Sequence, residues 1–368
     1  MMSSTSASIS PLLFAPGDQN SDIIESFTST PTYLFRLYAP ATRGTTNTNE
    51  VSSPTPKGSS ASNQDLFGLP EKEAAAILRQ HLFWECQQNE NCNLMSWSSS
   101  LLSVLKHGFY RKETDRDHPT LDDIHILILD TRLFPKGTFI RDLEVLGRFA
   151  GYNERLRTLH GWRKGQLYFG EYLSQGHLNI RGHCAETTLQ KLVDGRLLTD
   201  LCPTLAVGPK KWATGAVRLR QEFKIKTYRS AETERMAVAI AITLASDCFE
   251  DRWRLAVSIM LLSLRPHDYG YGGVVVQELC ELLSGRRYLI SGRSGWLTQV
   301  AVAGEILHID DIEFGKESYM EKMPELMQYR KIMKAVRVQA EVVEQTNSSD
   351  SNLGANALAG IFQSLRIS

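Results

Sequence analysis

The stretch Asn93-Leu94-Met95-Ser96-Trp97-Ser98-Ser99-Ser100-Leu101-Leu102-Ser103-Val104-Leu105-Lys106-His107-Gly108-Phe109-Tyr110 decides the fold. Leu94, Met95 and Trp97 read as a short strand, and Ser98, Ser99 and Ser100 turn the chain. Leu101, Leu102, Val104, Leu105 and Phe109 then fall on one apolar stripe of a helix. Serine hydroxyls just ahead of that stripe can accept from the unpaired N–H groups of the first turn. A strand, a polar corner and a helix start also make a place where folds hold anions, because helix N-termini carry partial positive charge.

Upstream, residues 1–30 are rich in Ser and Thr and read as a disordered tail. Tyr33-Leu34-Phe35-Arg36-Leu37-Tyr38 reads as a strand with one charge, Arg36, among apolar neighbours. A buried arginine is costly unless paired, so Arg36 lies on an edge or faces an anion. Residues 41–65 are Thr, Ser, Asn, Pro and Gly and read as a long flexible loop. Pro70-Glu71 opens a helix running to about Gln88, with His81 on its apolar stripe as a core or boundary residue.

Downstream, Ile124-His125-Ile126-Leu127-Ile128-Leu129-Asp130 is apolar on both faces and predicts a strand inside a sheet. Thr138-Phe139-Ile140 predicts a short strand, and Leu143 to Ala150 a short helix. Tyr152 to Lys164 is polar and basic and reads as a solvated loop. Gln166 to Ile180 reads as strand, turn at Gln175-Gly176, strand, with Glu171 among aromatics. His183 to Asp200 reads as helical. Residues 212–285 read as largely helical, Tyr288-Leu289-Ile290 and Leu297 to Ile309 as a hairpin or another helix, and Met320 to Glu344 as a helix.

The chain has 368 residues, long for one domain, and 42% apolar with 22% charged residues is usual for a soluble globular protein. Net charge is zero, which argues against the basic face that nucleic-acid binding requires. The apolar region Met236 to Leu264 is broken by charges and is too short to span a membrane. The N-terminus has no basic region ahead of an apolar run, so no signal peptide is expected. Six scattered cysteines read as reduced, mostly buried thiols of an intracellular, cytoplasmic protein. Cys86 and Cys92 are too widely spaced for a zinc knuckle, and no metal-binding pattern is present.

Arg36, the pair Ser96 and Ser98, and Glu171 stand at strand or strand-end positions, in the order Arg … Ser-x-Ser … Glu. That order resembles the ADP-ribosyltransferase fold of the Arg-Ser-Glu class. There the Arg sits on the first strand, a Ser-Thr-Ser element leads into a helix, and the Glu is on a later strand. Residues 31–180 are also similar to a family of uncharacterised fungal domains. That similarity rests on Tyr33-Leu34-Phe35-Arg36, Gly44-Thr45-Thr46-Asn47, Asn93 to Leu102, and Asp130-Thr131. It continues in Phe134-Pro135-Lys136-Gly137 and Glu171-Tyr172-Leu173-Ser174-Gln175-Gly176.

The transferase resemblance implies NAD as substrate and no metal. Glu171 would stabilise the oxocarbenium-like centre formed as the nicotinamide–ribose bond breaks. Arg36 would hold phosphate or ribose with its planar fork. Ser96 and Ser98 would bind ribose or fix Glu171, and Tyr33, Trp97 or Tyr172 would stack on nicotinamide. Two departures stand out. Trp97 replaces the Thr of Ser-Thr-Ser, and Phe169 stands two positions before Glu171, where arginine-modifying members carry an acid or amide.

The expectation is therefore an α+β protein: a small mixed or antiparallel sheet domain at 31–200, a mainly helical domain at 205–345, and a flexible tail at 346–368. Its expected function is an NAD glycohydrolase or an ADP-ribosyltransferase that is not arginine-specific. The alternative is a non-catalytic binding or interaction protein of the same fold, with a protein partner.

Overall fold

The computed structural model describes residues 10–17, 20–55, 63–88, 91–206, 211–225, 229–267, 273–283, 313 and 315–339. The expected tail at 346–368 and the patch at 288–309 lie outside them. The strands are β1 (Tyr33–Tyr38), β2 (Thr45–Thr46), β3 (Glu50–Ser52), β4 (Leu94–Ser98), β5 (His125–Asp130), β6 (Ile140–Arg141), β7 (Glu171–Gln175), β8 (His177–Asn179) and β9 (Cys184–Thr188). The helices up to the serine corner and its successor are α1 (Ser21–Ser26), α2 (Glu71–Leu82) and α3 (Leu101–Thr114). Next come α4 (Asp142–Phe149), α5 (Glu154–Arg163) and α6 (Leu189–Asp194). Then follow α7 (Trp212–Glu222), α8 (Ala231–Cys248), α9 (Arg254–Leu262), α10 (Val274–Leu283) and a last helix over residues 324–339.

A six-stranded sheet has the order β6-β7-β4-β1-β5-β9 and a three-stranded one the order β2-β3-β8; every pairing is antiparallel. The class is α+β. Side chains alternate across a strand, and this sorts the central residues. Ser96, Ser98, Glu171 and Phe35 share one face, since Phe35 pairs with Ser98 and Ser98 with Glu171. Trp97 and Tyr172, also paired, lie on the other face, where they pack with Val51 and Leu178 of the small sheet.

The face carrying Ser96 is covered in two parts. Leu94 and Leu173 pack with Ala74 and Leu78 of α2 and with Val145 and Leu146 of α4. Phe35 packs with Leu102 and Leu105 of α3, in a cluster that runs on without a break through Ala237 and Ala241 of α8, Ile259 of α9 and Ile332. The helical half thus covers the sheet and shares its core. It also holds the serine corner from behind. Ser100 caps α3, its Oγ accepting from Ser103 N–H at 3.2 Å, and donates to Glu325 Oε1 at 2.7 Å. Glu325 is paired in turn with the buried Arg220 at 2.7 Å.

Several expectations are corrected. Within residues 1–30, Phe14 and Ile23 are buried against Leu94 and Leu173 of the sheet, and Phe14 N–H donates to the Gly137 carbonyl at 2.9 Å. The expected loop at 41–65 contains β2 and β3, which pair with each other, and β3 pairs on its other edge with β8. Residues 184–188 are strand rather than helix. They satisfy the backbone groups of β5 along its outer edge, from His125–Thr188 to Leu129–Cys184. The expected solvated loop at 152–164 is α5, with Asn153 Oδ1 accepting from Arg155 and Leu156 N–H. Among the described residues no helix is long and apolar enough to cross a membrane.

Candidate functional site

Between α2 and α3, over Ser96, lies a cleft of about 360 Å³. Arg36, Ser96, Ser98 and Glu171 all line it, so the topology brings the three separated motifs together on the adjacent strands β1, β4 and β7. Gly170 turns the chain into β7 at φ +68, and a side chain there would collide with Ser99 Oγ. Ser99 N–H donates to Gly170 carbonyl at 2.8 Å, so the serine corner fixes the start of the strand that bears Glu171.

Ser96 Oγ donates to Glu171 Oε1 at 2.7 Å, and His81 Nε2 lies 2.8 Å from the same hydroxyl. A hydroxyl has one proton. With that proton given to Glu171, Ser96 accepts from His81, so the network assigns the imidazole proton to Nε2. Nδ1 is left as a lone pair. Burial lowers His81 to about 4, with Arg36 and Arg163 adding to it against the opposing pull of Glu171; the ring is neutral at pH 7.

Glu171 Oε2 is paired with Arg163, the last residue of α5, and Arg163 also pairs with Asp142 at the start of α4. Burial pushes the Glu171 carboxyl upward. The Arg163 guanidinium and the Ser96 hydrogen bond outweigh it and hold Glu171 below the usual carboxylate range. Asp142 is fully buried, and there burial wins, raising its carboxyl. Glu171 is thus an anion fixed at both oxygens.

Arg36 crosses between the strands. β1 and β4 share one register pair, Phe35 with Ser98. Past it the guanidinium stands in for backbone pairing, Nη1 donating to Ser96 carbonyl at 2.9 Å and Nε to Thr46 Oγ1 at 3.0 Å. Arg36 is 7% exposed, yet none of the carboxylates among the described residues pairs with it. Burial, with Arg111 adding to it, lowers its pKa to about 10. Arg36 borders the cleft, and its guanidinium also lies 5.7 Å from the centre of the Trp97 ring, a cation–π contact.

The opposite wall is aromatic. Trp84 stacks on His107 at 5.6 Å and 8°, His107 leans on Trp212 at 5.0 Å, and Trp212 meets Phe169 at 4.5 Å. Trp84 is 59% exposed and has φ +59. It stands where the expected continuous helix to Gln88 breaks after α2.

Other expected residues have different roles. Ser98 Oγ donates to Phe169 carbonyl at 2.8 Å and accepts from Ser100 N–H at 3.1 Å, so its hydroxyl shapes the corner, while its backbone pairs with that of Glu171. Trp97 is 2% exposed, its Nε1–H donating to Ser174 at 2.8 Å and its ring edge-on to Phe139. The Tyr172 hydroxyl accepts from Arg141 on that same far face, at 3.3 Å. Tyr33 packs edge-on to Trp253, away from the cleft. Of the expected stacking residues, Tyr33 and Tyr172 do not line the cleft and Trp97 borders it from the far face of the sheet, while Trp84, His107, Trp212 and Phe169 line it. The α3 N-terminus, expected to hold an anion, faces Glu325 of this chain.

Sequence reading missed Arg163, Asp142, His107 and the partnership of His81 with Ser96. Only His81 carried a usable signal: it sits on the α2 stripe, and that stripe packs on the strand face bearing Ser96. The expectation of six reduced thiols is also corrected. Cys86 and Cys92 form a disulfide with Cα atoms 5.8 Å apart, because the turn after α2 brings Cys86 back to the start of β4. Compared with family models, curated proteins and solved structures, the chain matches none.

Proposed function

We propose that this cleft binds an NAD-type dinucleotide and cleaves its nicotinamide–ribose bond. The observation that carries the reading is the convergence of Arg36, Ser96 and Glu171 on three adjacent strands in one cleft, with Ser96 donating to Glu171 at 2.7 Å. The same order of elements underlies the resemblance to the Arg-Ser-Glu ADP-ribosyltransferases. Arg36 takes phosphate or ribose oxygen. The wall of Trp84, His107 and Trp212 takes a planar ring. Glu171, held ionised, stabilises positive charge at the ribose carbon as the C–N bond breaks. The bonding pair goes to the pyridine nitrogen, which leaves as neutral nicotinamide. Water, or another acceptor, adds to the ribose carbon and gives up a proton.

Phe169 packs on Trp212 two residues before Glu171 and offers no acid or amide to an arginine acceptor. Hydrolysis or a non-arginine acceptor fits this cleft better.

One observation favours a second reading, a binding module without turnover. Arg163 occupies Glu171 Oε2 and sets a cation beside the charge that has to be stabilised. Incubating the purified protein with NAD and quantifying released nicotinamide separates the two. Release supports the enzyme; saturable binding of NAD without release supports the module.

A further inference from the structure

Behind His81, away from Ser96, three groups that can ligate a metal converge: His81 Nδ1, Cys86 Sγ and Cys92 Sγ all lie within 4.8 Å of one another. Cys92 Sγ is 3.4 Å from His81 Nδ1. The proton assignment at Ser96 makes that Nδ1 a lone pair. In the disulfide form neither sulfur has a proton to offer it. A lone pair is therefore aimed at a sulfur that cannot donate, which a simple structural disulfide does not explain.

We propose that His81, Cys86 and Cys92 form a redox-gated site for a thiophilic divalent cation of the zinc class, filled when the disulfide is reduced. Zinc binds thiolate at about 2.3 Å and imidazole at about 2.0 Å, so tetrahedral ligand atoms sit about 3.5–3.8 Å apart. The 3.4 Å between Cys92 Sγ and His81 Nδ1 lies close to that spacing. The ligand set is two soft thiolates and a neutral imidazole, which suits zinc rather than magnesium or calcium.

His81 needs no rearrangement to serve. Its Nε2–H already donates to Ser96, which donates to Glu171, and an outer hydrogen bond of this kind orients metal-bound histidines. Three protein ligands leave a fourth position open. His81 and Cys86 both line the cleft, which places the cation at its wall.

A dithiol reductant passes two electrons and two protons to the Cys86–Cys92 bond and is itself oxidised to a disulfide. The two thiols then bind the cation as thiolates and release two protons. The six-residue separation of the cysteines, unlike that of a zinc knuckle, is met by the turn after α2 and completed by the histidine. None of this rests on NAD chemistry.

The test is a cobalt titration of the full chain, reduced with a dithiol and desalted without oxygen, beside the oxidised chain. The reduced chain is expected to bind one cobalt with thiolate-to-cobalt charge-transfer absorption, displaced by zinc, and the oxidised chain to bind none. Cys86→Ser and Cys92→Ser each lose the absorption, His81→Gln weakens binding about tenfold or more, and Cys280→Ser leaves it unchanged. Reduced wild-type protein that keeps its native circular dichroism but shows no thiolate-to-cobalt absorption overturns the proposal. So does a signal that survives in folded Cys86→Ser. The wild-type arms decide the matter even if a variant does not fold.

Discussion

Ser96 and Glu171, 75 residues apart in sequence, are joined by a 2.7 Å hydrogen bond in which the serine donates and the carboxylate accepts. Strand register produces it: β4 and β7 pair antiparallel with Ser98 opposite Glu171 and Ser96 opposite Leu173, so both polar side chains emerge on one face. With His81 behind the serine and Arg163 on the other carboxylate oxygen, neither residue is free to rotate.

Arg163 is the counter-ion shared by Glu171 and the fully buried Asp142. Removing it leaves two carboxylates with no cation in a buried site. Arg163→Ala is expected to cost about 3–5 kcal/mol of folding stability in denaturant titrations. A loss under about 1 kcal/mol would mean that the triad is not closed in solution.

Gly170 adopts φ +68 directly before Glu171, with Ser99 Oγ where a side chain would go. Gly170→Ala adds the roughly 1–2 kcal/mol of a left-handed non-glycine residue to that collision. Thermal unfolding is expected to show a clear drop in Tm, and ligand affinity to fall with it as Glu171 shifts. A variant with wild-type Tm would place β7 differently.

His107 sets a pH signature. Burial, with Arg111 adding to it, lowers its folded pKa to about 4, against the opposing pull of Glu171. The unfolded ring titrates near about 6.5. A depressed folded pKa gives stability that is present above the unfolded value and lost as pH falls through the folded one. The stability difference between wild type and His107→Gln is therefore expected to be flat above pH of about 7 and to shrink between about 6.5 and 4. A pH-independent difference contradicts a ring held neutral in the folded protein.

Trp84 is exposed and bears on the cleft through His107, so truncating it tests binding rather than folding. A stacking contact is worth about 1 kcal/mol. Trp84→Ala is expected to raise KM for the dinucleotide several-fold to about tenfold, with kcat within about threefold. Unchanged KM would remove the aromatic wall from the site.

The residues differ in how plainly they were written in the sequence. β1, β4, α3 and β5 were legible because their apolar periods and the Ser100 cap are strong local signals that agree with the packing. The convergence of Arg36, Ser96 and Glu171 was legible only through a resemblance, since register is a long-range property. α5 was not legible: its buried Leu156 and Arg163 make no stripe, and a buried arginine reads as a surface charge until its acids are located. The strand character of β9 is not local: it comes from the open edge of β5. Period-two alternation alone puts Trp97 on the opposite face from Ser96 and Ser98, and the register extends this to Tyr172.

The most direct measurement is the rate of nicotinamide release from NAD by wild-type protein and by Glu171→Gln, with unfolding midpoints recorded on the same samples. Wild-type release is expected, with a fall of about a hundredfold or more in Glu171→Gln while that variant stays folded. Equal rates in the two proteins, or saturable NAD binding by wild type with no release, would contradict a catalytic Glu171.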